Sequence, residues 1–189
     1  GEIHSKVYDF IQPYLKHGIK ILYICELIEN KIREYSREYS KKSHKYHESH
    51  ETHNIGNILN DSIAFPTGIS INHVAAHYTP YYGEETILKS GDVCKIDYGV
   101  HINGCIVDSA FTINLDNRYY KLLEASRIAT DTVVRNLGVD ARFQELSRIA
   151  QEIVSSYEIE IDNRTIPLKP IDNLAGHNIL PWTIHAGKY

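Results

Sequence analysis

Hydrophobic positions recur at helical spacing from the first residues onward. Ile3, Val7, Phe10, Ile11 and Leu15 share one face of residues 3–16, Gly18 supplies a stop, and Pro13 predicts a kink before it. Residues 21–41 repeat the period, with Ile24, Leu27, Ile28, Ile32 and Tyr35 on one stripe and charges opposite. Both helices are expected to pack on a sheet. Short extended pieces follow over 62–88, broken by Pro66, Gly68, Pro80 and Gly83, and Lys89–Asp92 reads as a turn. Beyond residue 113 the helical period returns twice. The first helix, over 117–137, carries Tyr120, Leu123, Ala125, Ile128, Val133 and Val134 and ends at Gly138 as its C′ residue. The second runs from an Asp140 N-cap to about Ser156 and buries Phe143, Leu146, Ile149, Ala150 and Ile153. From Glu158 to Tyr189 the pattern is extended and irregular.

Between the two pairs of helices, KIDYGVHINGCIVDSAF (95–111) alternates as strand does but holds two acids, Asp97 and Asp108. Asn103-Gly104 is the strongest short-range hairpin signal, because both central residues of a type I′ turn need positive φ. Counting outward pairs Ile102 with Cys105, Gly99 with Asp108 and Asp97 with Ala110, so the two carboxylates share a face. Cys94, Ile96, Tyr98, Val100, Ile102, Cys105, Val107, Phe111 and Ile113 take the opposite, core face. A three-residue loop would send one acid into the core, at a cost no unpaired carboxylate recovers. Gly99 leaves open space on the acidic face for a close approach, and a metal is the natural candidate, since like charges this near raise a pKa unless a cation neutralises them. The register alone leaves metal binding and a capping or salt-bridging role equally open.

With 189 residues, 42% of them hydrophobic and 23% charged, one domain with a sizeable core is expected. A net charge of −4 gives no electrostatic case for nucleic acid or an anionic membrane. No apolar run reaches spanning length, and the amphipathic start is not a signal core, which together read as a cytoplasmic protein. Cys25, Cys94 and Cys105 lack metal-type spacing and read as buried free thiols. The chain contains no methionine, so Gly1 is not an encoded start: an initiator has been removed, or the sequence begins inside a longer chain. His44, His47, His50 and His53 recur every third residue in a polar, biased segment at 41–60; metal binding is one reading, a polar insertion the favoured one, because a period of 3 drifts around a helix.

Several motifs are more specific: AFPTG (64–68), NHVAAHYTP (72–80), KIDYG (95–99), IVDSAFT (106–112), LAGHNI (174–179) and IHAGK (184–188). Together they resemble the type 2 methionine aminopeptidases, and the similarity runs through most of the chain. The resemblance implies an α+β, pita-bread fold, in which a curved antiparallel sheet carries helices on one face. Residues 1–189 would be a single, incomplete catalytic domain, with 41–60 as an insertion longer than the family's usual connection. It implies hydrolytic removal of initiator methionine at a dinuclear centre of divalent metals, for which carboxylate and imidazole ligands suit Co, Mn, Fe or Zn. By motif, Asp97 resembles the chelating ligand of one metal, Asp108 the bridging carboxylate and His177 the imidazole ligand of the second. His185 resembles a donor to the developing oxyanion and His77 a contact toward the leaving side, while Phe65 and Ile184 resemble members of the methionine pocket.

The family's two remaining ligands are glutamates of a second half that lies beyond Tyr189, so the 189-residue chain alone is expected to bind metal weakly and turn over little substrate. Nascent peptides with N-terminal methionine, and the ribosome that presents them, are the implied partners. Two alternatives are a non-catalytic pita-bread binding protein of the proliferation-associated type and a proline-type aminopeptidase, for which the sequence holds no supporting motif.

Overall fold

A ten-residue strand, β3 (Val93–Ile102), organises the fold and turns at Asn103-Gly104 into an equally long partner, β4 (Cys105–Asn114). The computed structural model describes residues 1–47, 62–173 and 176–187, and of residues 42–47 the backbone alone. Asn103 (φ 53°) and Gly104 (φ 81°) both take the left-handed conformation of a type I′ turn. The ladder follows in the predicted register, with Ile102 opposite Cys105, Gly99 opposite Asp108 and Asp97 opposite Ala110, but Cys105, expected to be buried on the core face, is exposed at the turn end of its strand.

The other edge of β3 is filled by two short antiparallel pieces laid end to end. These are β1 (Ser62–Ile63), paired with His101 and Val100, and β2 (Gly68–Ile71), paired with Asp97 through Cys94. The break between them is Ala64–Thr67, where Pro66 has no N–H to give a ladder.

Helices α1 (Glu2–Ile11) and α2 (Ile21–His47) cover the apolar face. The expected kink is a single 3-10 turn, Gln12–Tyr14, that holds Pro13. Val7, Ile11, Ile24, Ile28 and Ile32 meet Ile69, Cys94, Ile96 and Tyr98 in one cluster from which water is excluded. Each such aliphatic side chain contributes roughly 1.5–3 kcal/mol by leaving water. Behind the acidic face, His4 of α1 stacks on Tyr98, their rings 4.0 Å apart. Nε2 of His4 bonds the Tyr98 carbonyl and the Tyr98 hydroxyl donates to the His4 carbonyl, both at 3.0 Å, so α1 is tied to the centre of β3. α2 continues to His47, past the expected end near Lys41. Residues 48–61, with His50 and His53, lie outside the described residues, as do the side chains of His44 and His47.

Two compact units divide the chain: Gly1–Leu115 with Gly176–Tyr189, and Asp116–Ala175. The second unit holds α3 (Tyr120–Asn136), α4 (Phe143–Ser155) and a hairpin of β5 (Glu158–Ile161) and β6 (Arg164–Pro167). Ala125, Ile159 and Leu168 form its small core. Several expectations fail in this unit. Asp140 does not cap α4: it takes φ 66° in the preceding turn, a conformation Asp tolerates, and Arg142 stands at the cap without a side-chain bond. Phe143 is 81% exposed at the first helical residue, ahead of the packed part of the stripe. Gly138 takes no positive φ, because α3 leaves through an extended Leu137. Tyr120 and Val134 are exposed, and Ala125 and Ala129 carry the buried face of α3. The stretch expected to be irregular contains two hairpins; the second, β7 (Asn178–Leu180) with β8 (Thr183–Ala186), belongs to the first unit. No helix among the described residues is long and apolar enough to cross a membrane.

A candidate metal and substrate cleft

The hairpin parity puts Asp97 and Asp108 on the face of β3 and β4 away from α1 and α2. Their diagonal placement keeps the two carboxylates within each other's field. Asp97 is half-buried, and burial first, then the neighbouring Asp108 charge, push its carboxyl from an ordinary 3.8 up to about 6. His77 and His177 act in the opposite direction without cancelling it. Oδ1 of Asp97 is buried and lacks a hydrogen-bond partner among the described residues. On its other side Asp97 pairs with Gly68 of β2.

The imidazoles come from two other segments. The β7–β8 hairpin is latched to the sheet at its own turn: Trp182 donates its backbone N–H to the Gly104 carbonyl at 3.0 Å, and its indole occupies the space a side chain at 104 would need. His101 stands 5.0 Å from the same ring. So held, the hairpin carries His185 on β8 and His177 just before β7. Nε2 of His177 lies 3.5 Å from Oδ2 of Asp108, and the rings of His177 and His185 meet edge-on at 4.2 Å. His77 takes φ 66°, and its ring is 5.8 Å from that of His185. Its segment is held to β2 by the bond from the Ile69 N–H to the Tyr78 carbonyl, at 2.7 Å.

Phe65 and Ile184 close the apolar end. All seven residues singled out in the sequence therefore line one cleft of about 250 Å³, together with Pro66, Gly68 and Thr79. Those three, and the latch residue Trp182, were missed. A Trp immediately before the TIHA strand is a weak cue, because its partner Gly104 lies far away in sequence. The space at Gly99 is a correction: it is the Phe65 ring, rather than a cation, that lies over this glycine.

Carboxylate and imidazole donors on one face, an orphaned buried oxygen and a raised acid fit the needs of a divalent cation. Asp97, Asp108 and His177 are the candidate donors. No three such side chains among the described residues stand close enough to share one ion, so the Asp108–His177 pair is the tightest part of the donor set.

Comparison with known proteins places these motifs. The family model described as Metallopeptidase family M24 matches residues 1–187. The chain is 44% identical to a Clavispora lusitaniae protein named "Methionine aminopeptidase 2", over all of this chain but 39% of that protein. It thus spans about two fifths of the length of the curated relatives it matches. Among solved structures, it superposes on a methionine aminopeptidase from Rickettsia prowazekii with TM-score 0.64 and 17% identity, covering 98% of this chain and 64% of the other. An X-Pro aminopeptidase from Thermotoga maritima gives TM-score 0.62 at 15% identity, covering 99% of this chain and 45% of the other. At these identities the two structures bear on the fold alone, which is the pita-bread, α+β architecture.

Proposed function

Because the chain belongs to metallopeptidase family M24, we propose that it is the portion 1–189 of one catalytic domain, interrupted by the insertion at 41–60, in a metal-dependent enzyme that removes N-terminal methionine from nascent chains. The observation that carries this reading is the convergence of Asp97, Asp108, His177, His77, His185, Phe65 and Ile184 on one cleft from three separate segments. Divalent metal ions belong to the family's chemistry; we assign two ions per complete site, drawn from Co, Mn, Fe or Zn. Asp97, Asp108 and His177 would hold them. When bound, they supply the Lewis acidity that polarises a scissile carbonyl and lowers the pKa of water.

The remaining residues bind and orient the substrate. His185, beside His177, donates a hydrogen bond toward oxygen charge developing at the carbonyl. His77, across the cleft, meets the peptide on the leaving side. Phe65 and Ile184 receive the unbranched side chain and exclude water from it. Substrates emerge at the ribosome, in the cytoplasm, where new chains first expose their methionine.

The test is an assay of the full-length encoded protein on Met-Gly-type peptides with each metal added, beside an Asp108→Asn variant. The wild type is expected to release methionine and the variant to lose about 10²-fold or more of that activity, as for a group acting directly on the reacting centre. Equal turnover by the two proteins would end the assignment.

A further inference from the structure

We propose that Gly99 is a positioning residue for specificity: its missing side chain lets the Phe65 ring lie over β3, and so sets the depth of the pocket that takes the first residue of the substrate. The proposal rests on the function assigned above to this cleft and adds a determinant outside its lining.

Glycine in the middle of a ten-residue strand weakens it and calls for a reason. Backbone geometry does not provide one, because Gly99 is not among the residues with positive φ. The reason is steric. A Cβ built at Gly99 would stand 2.5 Å from Cδ1 of Phe65, closer still to Cε1, and 2.9 Å from Cβ of Ala64. Ordinary carbon contacts begin about 1 Å farther out, so the ring has to move by about that much.

It cannot move by lifting its loop. Ala64 donates its N–H to the Gly99 carbonyl at 2.9 Å, the Thr67 N–H donates to Oε1 of Glu29 at 3.3 Å, and Sγ of Cys25 donates to the Thr67 carbonyl at 3.6 Å. With both ends of the Ala64–Thr67 break tied down, the backbone at Ala64 and Gly99 gives only the few tenths of an ångström that the contact with the Ala64 Cβ requires, and the larger movement is rotation of the Phe65 ring into the cleft. An alanine at 99 therefore makes the pocket shallower while leaving Asp97, Asp108 and the histidines in place.

The test uses the full-length protein and Xaa-Gly peptides whose first residue lengthens from 2-aminobutyrate through norvaline to norleucine and methionine. In Gly99→Ala, kcat/KM is expected to fall about 10–100-fold for the longest side chains and progressively less for shorter ones, the range that one displaced methylene-sized contact gives. Phe65→Leu introduced into Gly99→Ala should remove that dependence on length relative to Phe65→Leu alone. A loss equal at every length, or none, overturns the proposal.

A second measurement stands apart from catalysis. In the full-length protein, p-fluorophenylalanine labelling gives a ¹⁹F spectrum in which the Phe65 resonance is assigned by its disappearance in Phe65→Leu. That resonance should shift in Gly99→Ala while the remaining phenylalanine resonances stay. A Phe65 signal that does not move refutes the proposal whether or not peptides are cleaved, whereas a wild type that cleaves nothing refutes the assigned function and leaves the fluorine result to decide the role of Gly99.

Discussion

The Asp97 carboxyl offers the sharpest quantitative prediction. In the metal-free protein it should titrate near 6 instead of 3.8, with burial as the larger cause and Asp108 as the next. Replacing Asp108 with asparagine removes the second cause and keeps the first. The midpoint of Asp97 should therefore fall, while burial continues to hold it above the ordinary carboxylate value. The sign for stability follows from linkage. Asp97 binds its proton more tightly in the folded state, so this stabilisation is fully present below the unfolded value and is lost as pH rises through about 6. The full shift corresponds to about 3 kcal/mol. Because the group is only half-buried, solvent screening reduces this to about 1–1.5 kcal/mol. ¹³C-carboxyl NMR titration of the metal-free chain, with Asp97→Asn to assign the signal, reads the midpoint directly. Denaturation of wild type and Asp97→Asn at pH 4 and 7.5 reads the free energy, and their difference should move in favour of the variant at the higher pH. A midpoint near 4, or a stability difference that is flat with pH, would refute the picture of two carboxylates forced together by register.

Two structural ties can be tested in the same way. Tyr98→Phe removes the hydroxyl donor to the His4 carbonyl; that carbonyl is in the first turn of α1 and keeps its helical acceptor role, so the expected cost is about 1 kcal/mol by urea denaturation, at the low end for a buried bond. Trp182→Ala empties the latch over Gly104, and metal affinity by titration calorimetry should fall about 10–100-fold, as when a group that orients ligands is lost; unchanged affinity would mean that the β7–β8 hairpin is held by other contacts.

What the sequence makes legible is what local rules decide. The register of β3 and β4 follows from two turn residues and the period of a strand, and the stripes of α1 and α2 follow from the period of a helix. The second unit is less legible for a physical reason: its helices bury small residues such as Ala125 and Ala129, so the large apolar residues that dominate a periodicity argument, Phe143 and Val134, point into solvent. The β5–β6 hairpin has a readable sign. EIEIDNRTIP alternates on either side of Asp162-Asn163, and both of these take positive φ as Asp and Asn tolerate. The Phe65 ring over Gly99 was not readable, because the alternation showed that space was left on the acidic face but not which distant residue would fill it.

The same division runs through the cleft. The acidic pair is fixed by a turn of two residues and needs no other part of the fold to bring its charges together, while the burial that contributes most to the raised Asp97 carboxyl comes from the fold around the hairpin. The imidazoles arrive by long-range docking, and the docking site is that same turn: Gly104 takes the positive φ that sets the parity of Asp97 and Asp108, and its bare Cα receives Trp182, whose hairpin carries His177 and His185. A side chain at 104 would strain the turn and strike the indole at once. The acids would then lose their shared face and the histidines their anchor through one substitution, which makes this glycine the point where the local and the long-range halves of the donor set are joined.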